Sequence, residues 1–357
     1  MDALSYLNPV GKALPSVFKY MFVALFLVNY RSWPLVWHFK VLKCVLDLQA
    51  RYLLLRVRCL FMSKKAKLEA REKWFDSLTP VGKNPFECCT TYSTWAGPDD
   101  CDFQMHLSNS CYAKNLDAVR YKAALEMFPT FFRCGGWMAL AATHYKFVRE
   151  IPMFTKYEIK MTMATWEDKW MYVLVRFVSY PKNKGKKGKQ TITASDESSP
   201  SGADTPNSGP KVDLHTPVTN TGIPSSETMQ KLINDTIRKD EADGSTLHCI
   251  SVSELCCKIG RITVPPAIAL GCEGYSLPST KEGAKPYSVE NPPPSWEKVK
   301  ELKANYSLRK LRDFYKNGWK EVPEGERWWE QALGGAIEEK RKINLELLEG
   351  VQKREES

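Results

Sequence analysis

One segment, from Asn109 to Phe128, has the apolar periodicity of a long helix and lies among segments with the composition of strands. Its apolar residues recur at the spacing of one buried helix face: Tyr112, Leu116, Val119, Ala123 and Met127. Pro129 follows and ends the pattern, because proline cannot continue a helix. A helix with one apolar face must bury it against a second layer, which the flanking strands can supply. The sequence therefore predicts an α+β unit with one long helix on a sheet.

Four segments around this helix are rich in aromatic and β-branched residues, which favours strands: Phe86–Trp95, Leu140–Arg149, Tyr157–Thr165 and Trp170–Tyr180. The third segment alternates apolar and polar residues strictly, so one of its faces is predicted to be buried and the other wet. The fourth is apolar on both faces, which places it at the centre of the sheet. Trp166–Lys169 is predicted to be the hairpin turn between these two strands.

Composition changes at residue 181. Lys182–Lys189 is a lysine and glycine run, and the segment that follows, up to Ser226, is dominated by Ser, Pro, Thr, Gly and Asn. Such a segment cannot bury enough apolar surface to fold, although a short helix is predicted at 228–239. Strand character resumes from Leu247 to Val264 and ends at Pro265. We therefore expect one domain over residues 80–270, interrupted by a disordered insertion at 181–245.

Residues 290–357 are predicted to form a C-terminal helical extension. Ser295 caps a helical segment that runs through Tyr315. A second helix is predicted from Glu326 to Gln352, weakened by Gly334 and Gly335. Three tryptophans are expected to dock these helices onto the domain: Trp319, Trp328 and Trp329.

Residues 1–75 combine apolar runs with basic residues. Tyr20–Val28 is apolar but shorter than the roughly 20 residues that span a bilayer, and Trp33–Leu55 mixes large apolar residues with lysine and arginine. We expect residues 14–62 to attach to a membrane lipid surface, with the basic head groups at the interface. Two alternatives remain. Val17–Tyr30 would span the membrane, or the helices would form a hairpin on the protein's own surface.

The basic cluster from Lys40 to Lys73 would hold the rest of the chain on the cytoplasmic side of a membrane. The expected location is therefore the cytosolic face of the endoplasmic reticulum or of another endomembrane. Deletion of residues 1–62 is expected to release the domain from membranes without unfolding it.

Charge and cysteine usage narrow the choice of partners. The net charge of +10 suits a membrane surface, a nucleic acid or a phosphate-bearing ligand such as coenzyme A. Lys182–Lys189 lacks interleaved aromatic residues, so nucleic-acid binding is not expected. The 11 cysteines form no CxxC pair, which predicts neither a zinc site nor a disulfide framework. Reduced, mostly buried thiols suit a domain that faces the cytosol.

The densest group of catalytic-type side chains lies directly before the long helix. Asp102, Gln104, His106 and Asn109 supply a carboxylate, two amides and an imidazole. A helix N-terminus offers free N–H groups and the positive end of the dipole, which can polarise a carbonyl oxygen. Asp102 would act on water as a base, or as a nucleophile, while Gln104 and His106 orient the water or stabilise charge.

A purely structural role for the same residues stays open. Ser108 or Asn109 is a good helix N-cap, Asp102 can cap a turn, and His106 can be a structural imidazole.

From Asp102 to Tyr112 the sequence has the pattern Asp-x-x-x-His-Leu-Ser-Asn-x-x-Tyr, continued by Leu116, Asp117 and Arg120. This pattern resembles the signature of the 4-hydroxybenzoyl-CoA thioesterase family. In particular it resembles the thioesterase superfamily member six group and its fungal branch with an N-terminal hydrophobic anchor. A strand in that group ends in Gly-Arg-x-Thr-Val-Pro-Pro, as Gly260–Pro266 does here. Plant acyl-carrier-protein thioesterases have Asp-x-Asn-x-His, which puts Asp102, Gln104 and His106 on the catalytic positions.

The resemblance implies a hotdog fold, in which a curved antiparallel sheet wraps around one long helix. It also implies a homodimer with acyl sites at the subunit interface. The helix residues Lys114, Arg120 and Lys122 would then contact the phosphates of coenzyme A.

Two residues depart from the family pattern. Ser108 stands where the first of two paired asparagines is usual, and Met105 stands where glycine often precedes the histidine. The missing asparagine would weaken the positioning of water. The methionine would narrow the approach to the start of the helix.

The function expected from these features is that of an acyl-CoA thioesterase, which hydrolyses a hydrophobic acyl thioester at a membrane surface. Coenzyme A would enter as part of the substrate, and no separate cofactor or metal is expected. One alternative is a catalytically inactive hotdog protein that binds acyl-CoA or lipid. A second is a hotdog dehydratase, although the usual Asp and His spacing of those enzymes differs from the interval between Asp102 and His106.

Overall fold

The computed structural model describes residues 4–180, 244–278, 285–303 and 307–349. The predicted insertion at 181–245, including its short helix at 228–239, lies outside the described residues except for its last two positions. The same is true of the last eight residues of the predicted C-terminal extension.

The core of the molecule is one antiparallel sheet with the strand order β1-β3-β4-β5-β2 and a short β6 paired to β5. The strands are β1 (Cys89–Trp95), β2 (Gly136–Phe147), β3 (Lys156–Trp166), β4 (Trp170–Ser179), β5 (Thr246–Ile259) and β6 (Ile262–Thr263). The prediction that the fourth segment is central is confirmed, because β4 lies between β3 and β5. The strand after residue 243 returns to the same sheet, as expected.

Several strand boundaries differ from the prediction. Strand β2 starts at Gly136, four residues before the predicted Leu140, and ends at Phe147. The segment from Phe86 begins as a 3-10 turn at Pro85–Glu87, in which the Asn84 side chain accepts a hydrogen bond from the Phe86 N–H, so β1 starts only at Cys89. Val264 is not part of β5. Gly260, with a φ of +58°, starts the tight turn that sends the chain back as β6, a left-handed conformation that glycine adopts without steric cost.

The predicted long helix is α4 (Asn109–Met127), which packs on the sheet. The five residues of its predicted apolar face are all buried, and they share one core cluster with Ile159 of β3 and Phe177 of β4. The helix ends at Phe128, and Pro129 begins the short helix α5 (Pro129–Arg133). One long helix packed on an antiparallel sheet with this order of five main strands confirms the hotdog fold.

Three helices precede the domain: α1 (Leu4–Val28), α2 (Val36–Arg58) and α3 (Lys64–Asp76). Helix α2 packs along α4, where the Trp37 Nε1–H donates to the Lys114 carbonyl at 3.4 Å. The large apolar side chains from Val17 to Val28 are exposed. Within the described ranges, no helix combines the length and the hydropathy needed to cross a membrane.

The C-terminal part consists of α6 (Pro266–Cys272), α7 (Pro294–Leu302), α8 (Arg309–Tyr315), α9 (Trp328–Ala332) and α10 (Ala336–Glu349). The single helix predicted from Ser295 to Tyr315 is wrong, since the first helix ends at Leu302 and a second begins at Arg309, whose N–H donates to the Ser307 hydroxyl at 3.3 Å. The helix predicted from Glu326 also divides, because Gly335 adopts a left-handed φ of +55°. The docking role of the three tryptophans is confirmed, since all of them contact the main core.

Candidate active site

The segment that carries the predicted catalytic residues forms a closed loop at the start of α4. Cys101 and Leu107 pair as an antiparallel bridge, and the Asp102 N–H donates to the His106 carbonyl at 2.9 Å. The Asp102 side chain also stabilises the loop, because its Oδ1 accepts hydrogen bonds from the N–H of Gln104 at 2.9 Å and of His106 at 3.4 Å. Aspartate commonly stabilises a turn in this way. The turn-capping role of Asp102 is therefore observed, and it occupies only one of the two carboxylate oxygens.

Met105 has a φ of +64°, in the left-handed region that favours glycine. This explains why a glycine suits the position before the histidine in related sequences. The methionine side chain is 57% exposed. The structure thus shows a strained backbone at Met105, and the narrowing of the approach to the helix stays a prediction.

Ser108 is the N-cap of α4, and its N–H donates to the Asp100 carbonyl at 2.9 Å. Its hydroxyl makes no capping hydrogen bond and lies 3.1 Å from the Ser110 hydroxyl. Asn109 is the first helical residue and is exposed. No described residue accepts a hydrogen bond from the N–H of Asn109 or Ser110. The helix start therefore offers two backbone donors and the positive end of the dipole to a ligand.

The imidazole of His106 lies beside a carboxylate that sequence reasoning missed. Its Nδ1 is 3.2 Å from Oε2 of Glu150, without meeting hydrogen-bond geometry. Glu150 is in the connection between β2 and β3, and this connection reaches the loop through a bridge between His106 and Pro152. Glu150 stands 44 positions away in a segment without a motif, so no local signal could have identified it.

A second missed feature is a buried ion-pair network next to the loop. The fully buried Asp100 carboxylate contacts Arg31 Nη2 at 2.8 Å and Lys114 Nζ at 2.9 Å. Burial alone raises the pKa of Asp100, but the bond from Lys114 and the charge of Arg31 outweigh it and hold the pKa below its usual value. The adjacent acidic pair Asp99-Asp100 and an arginine between two apolar runs were the only available sequence signals.

Of the three residues expected to contact the phosphates of coenzyme A, Lys122 donates to the Thr91 carbonyl at 2.7 Å, and the other two also have partners within the protein. Lys114 is paired with Asp100, as described. Arg120 is mostly buried, and its Nη2 donates to Thr143 Oγ1 at 2.6 Å and to Ser253 Oγ at 2.8 Å, on β2 and β5. Arg120 therefore connects α4 to the sheet. Contact of any of these three residues with a phosphate stays a prediction.

Asp102, Gln104 and His106 are thus gathered in one loop, and Asn109 begins the helix that follows. The Gln104 side chain is exposed. The described residues hold no group of three or more His, Cys, Asp or Glu side chains arranged to bind a metal ion. All 11 cysteines are unpaired and seven of them are buried, as predicted. What the geometry provides is a loop that carries a carboxylate and an imidazole directly before a helix start with two free N–H groups.

Comparison with known proteins agrees with this fold. Residues 96–204 match the model of the Thioesterase-like superfamily. A protein of Saccharomyces cerevisiae described as a probable thioesterase is 26% identical over 167 residues, which is 45% of this chain and 66% of that protein. A thioesterase of Purpureocillium lilacinum, lcsJ, is 31% identical over 29% of this chain and 39% of its own length.

Protein THEM6 of Xenopus laevis is 30% identical over 25% of this chain and 44% of its own length. The matched segments thus span less than two thirds of these three relatives. The family match begins at Ala96, directly before the catalytic-type loop, and runs through α4, β2, β3 and β4. Over residues 96–204 the chain is similar to the Thioesterase-like superfamily, in agreement with its hotdog fold.

Proposed function

We propose that this protein hydrolyses a hydrophobic acyl thioester, of the acyl-CoA class, at a membrane surface. The observation that carries the proposal is the closed loop Cys101–Leu107, which presents Asp102 and His106 beside the uncapped start of α4. Two of the relatives are named as thioesterases. The net charge of +10 favours a substrate that carries phosphates.

In the proposed mechanism, Asp102 removes a proton from a water molecule that attacks the thioester carbonyl. Every hydrogen bond that a described residue donates to this carboxylate goes to Oδ1, which leaves Oδ2 for the water. The N–H groups at the start of α4 would stabilise the oxyanion of the tetrahedral intermediate. Its collapse breaks the C–S bond, and the proton that Asp102 took from the water passes to the leaving sulfur, so that the acid and the thiol of coenzyme A are released. His106, held beside Glu150, would orient the water together with Gln104 and Asn109.

Placement at a membrane is supported by the first two helices. The apolar side chains of α1 from Val17 to Val28 are exposed, and so are Leu53, Leu54 and Val57 of α2. An apolar surface of this size normally marks an interaction site. Lysines and arginines are interleaved with the apolar residues of α2, which suits a helix that lies in the lipid interface. We propose the cytosolic face of an endomembrane as the location.

The decisive experiment is an assay of free thiol release from a panel of acyl-CoA chain lengths. Asp102→Asn keeps a side-chain oxygen that can accept the hydrogen bonds of the turn, but it removes the negative charge. The rate of hydrolysis is expected to fall about a hundredfold or more, which is the scale of losing a general base. Asp168→Asn, an exposed carboxylate in the hairpin between β3 and β4, is the matched control and is expected to keep full activity.

An unchanged rate in Asp102→Asn removes Asp102 from the mechanism. Tight binding of acyl-CoA without hydrolysis at any chain length would instead support the alternative of a hotdog protein that only binds its ligand. Hydration of an enoyl-CoA would support the dehydratase alternative.

A further inference from the structure

A cavity of about 280 Å³ lies at the corner where α2 turns into α3. Its lining is apolar along Tyr52, Leu55 and Leu68 and includes the buried Cys59. Three cations line the rest: Arg56, Lys67 and Arg71. None of the described lining residues is acidic. Because pockets for whole drug-sized ligands measure roughly 300–1,000 Å³, this cavity suits a compact anionic group better than an entire lipid.

The positive charge of the cavity is only partly compensated within the protein. Lys67 Nζ donates to the Leu60 carbonyl at 2.9 Å, which leaves two of its three donors. Arg71 Nε is buried without a hydrogen-bond partner among the described residues, and the carboxylate of Glu72 lies 3.7 Å from it. That same carboxylate is shared with Arg133, also at 3.7 Å. Arg56 forms no ion pair with any residue that the structure describes.

The same corner carries a fully exposed apolar tip. Phe61 is 101% exposed, and its neighbours Leu60 and Met62 are exposed as well. A phenylalanine held in water gains free energy when it enters an apolar phase. A cationic cavity beside an apolar tip is the arrangement that an interface between lipid headgroups and acyl chains would stabilise.

We infer that this cavity binds the phosphate of an anionic membrane phospholipid while Phe61 enters the acyl layer. The inference rests on the proposed membrane-surface placement and adds to it the lipid chemistry and the residues that recognise it. Lysine and arginine bind phosphate through charge-assisted hydrogen bonds, which are the strong ones. The headgroup would supply an anion to Lys67 and a hydrogen-bond acceptor to Arg71 Nε.

The test compares the binding of the full-length protein to vesicles of phosphatidylcholine that contain either phosphatidic acid or phosphatidylserine, matched in measured zeta potential. Phosphatidic acid presents a compact phosphate, so the wild type is expected to prefer it. Lys67→Gln is expected to lose this preference, with binding to phosphatidic acid reduced roughly tenfold or more. Lys64→Gln removes the same charge from the same helix outside the cavity. It is expected to weaken binding to both vesicles by about fivefold at most and to keep the preference.

Arg56→Gln provides a second variant in case Lys67→Gln unfolds, since Arg56 is exposed and its loss should not affect folding. The inference is overturned if the wild type shows no preference, or if the Lys64 and Lys67 variants lose it equally. It is also overturned if soluble glycerol 3-phosphate binds in the cavity and vesicles that contain phosphatidic acid do not displace it. Hydrolysis of soluble acyl-CoA without vesicles is expected to be unchanged in Lys67→Gln. A wild type that binds these vesicles selectively but hydrolyses nothing would therefore contradict the proposed activity alone.

Discussion

Glu273 illustrates how much a single residue can contribute away from the candidate active site. Its carboxylate is fully buried at the end of α6 and accepts from the backbone N–H of Thr130 at 3.1 Å and of Phe131 at 2.7 Å. It thereby caps the first turn of α5, where an anion interacts favourably with the helix dipole. Burial nevertheless raises the pKa of Glu273 to about 7, because the two N–H bonds and the charge of Lys303 offset burial only in part.

This pKa predicts a pH-dependent stability. The folded protein keeps the Glu273 proton up to about pH 7, whereas the unfolded chain releases it near the ordinary glutamate pKa of about 4.3. The free energy of unfolding is therefore expected to fall, by about 3 kcal/mol, as the pH rises through this window. Urea unfolding at about pH 4.5 and at about pH 8 measures the change in the free energy of unfolding. Glu273→Gln removes the titration, and an identical pH slope in that variant would refute the assignment.

At the scale of elements, the N-terminal helices are joined to the domain by buried charge. Arg31, in the turn between α1 and α2, is 3% exposed. Besides its ion pair with Asp100, it donates to the Trp95 carbonyl at 2.7 Å and stacks over the Trp95 ring. The Asp100 carbonyl in turn holds Ser108 at the start of α4. The expectation that residues 1–62 can be deleted without consequence for the fold therefore needs correction, because the deletion leaves Asp100 buried without Arg31.

Arg31→Ala is expected to destabilise the protein by about 3–5 kcal/mol, the usual cost of removing one partner of a buried ion pair. The control is Lys43→Ala, which removes one partner of the exposed pair with Asp47 and is expected to cost no more than about 1 kcal/mol. Denaturant unfolding of both variants measures the difference. Equal losses would mean that Arg31 does not join the helices to the domain.

At the scale of the whole molecule, β2 is an edge of the sheet. It pairs with β5 on one side, and no described strand pairs with its other side. Trp137, Leu140 and Phe147 of this strand are each more than 40% exposed. A long apolar edge strand promotes association unless it is covered. We propose that two copies pair through β2 to form the expected homodimer.

The proposed dimer predicts that Leu140→Lys, a charge on the exposed face of β2, shifts the protein to a monomer in light scattering coupled to size exclusion. Ile343→Lys introduces the same charge at an equally exposed apolar residue of α10 and is expected to leave the dimer intact. A wild type that is monomeric at all accessible concentrations would exclude this arrangement.

Local periodicity was sufficient to predict the central elements. The spacing of apolar residues within single segments predicted the buried face of α4, the hairpin between β3 and β4 and the central position of β4. Apolar side chains at these intervals can be buried in only one way. The location of Asp102 at the entry of α4 was equally local. The helix predicted from Ser295 to Tyr315 divides instead into α7 and α8, because weak helix propensities do not decide where a helix ends.

What the sequence by itself determined is the order of the five main strands, the long helix α4 and the loop that carries Asp102, Gln104 and His106. Only the tertiary structure decided which charged side chains form ion pairs and hydrogen bonds with each other. Glu150 reaches His106 from the connection after β2, Arg31 reaches Asp100 across 69 positions of the chain, and Arg120 is enclosed between α4 and the sheet. The physical reason is that a turn or a helix face depends on neighbouring residues, whereas an ion pair depends on where the folded backbone brings distant side chains together.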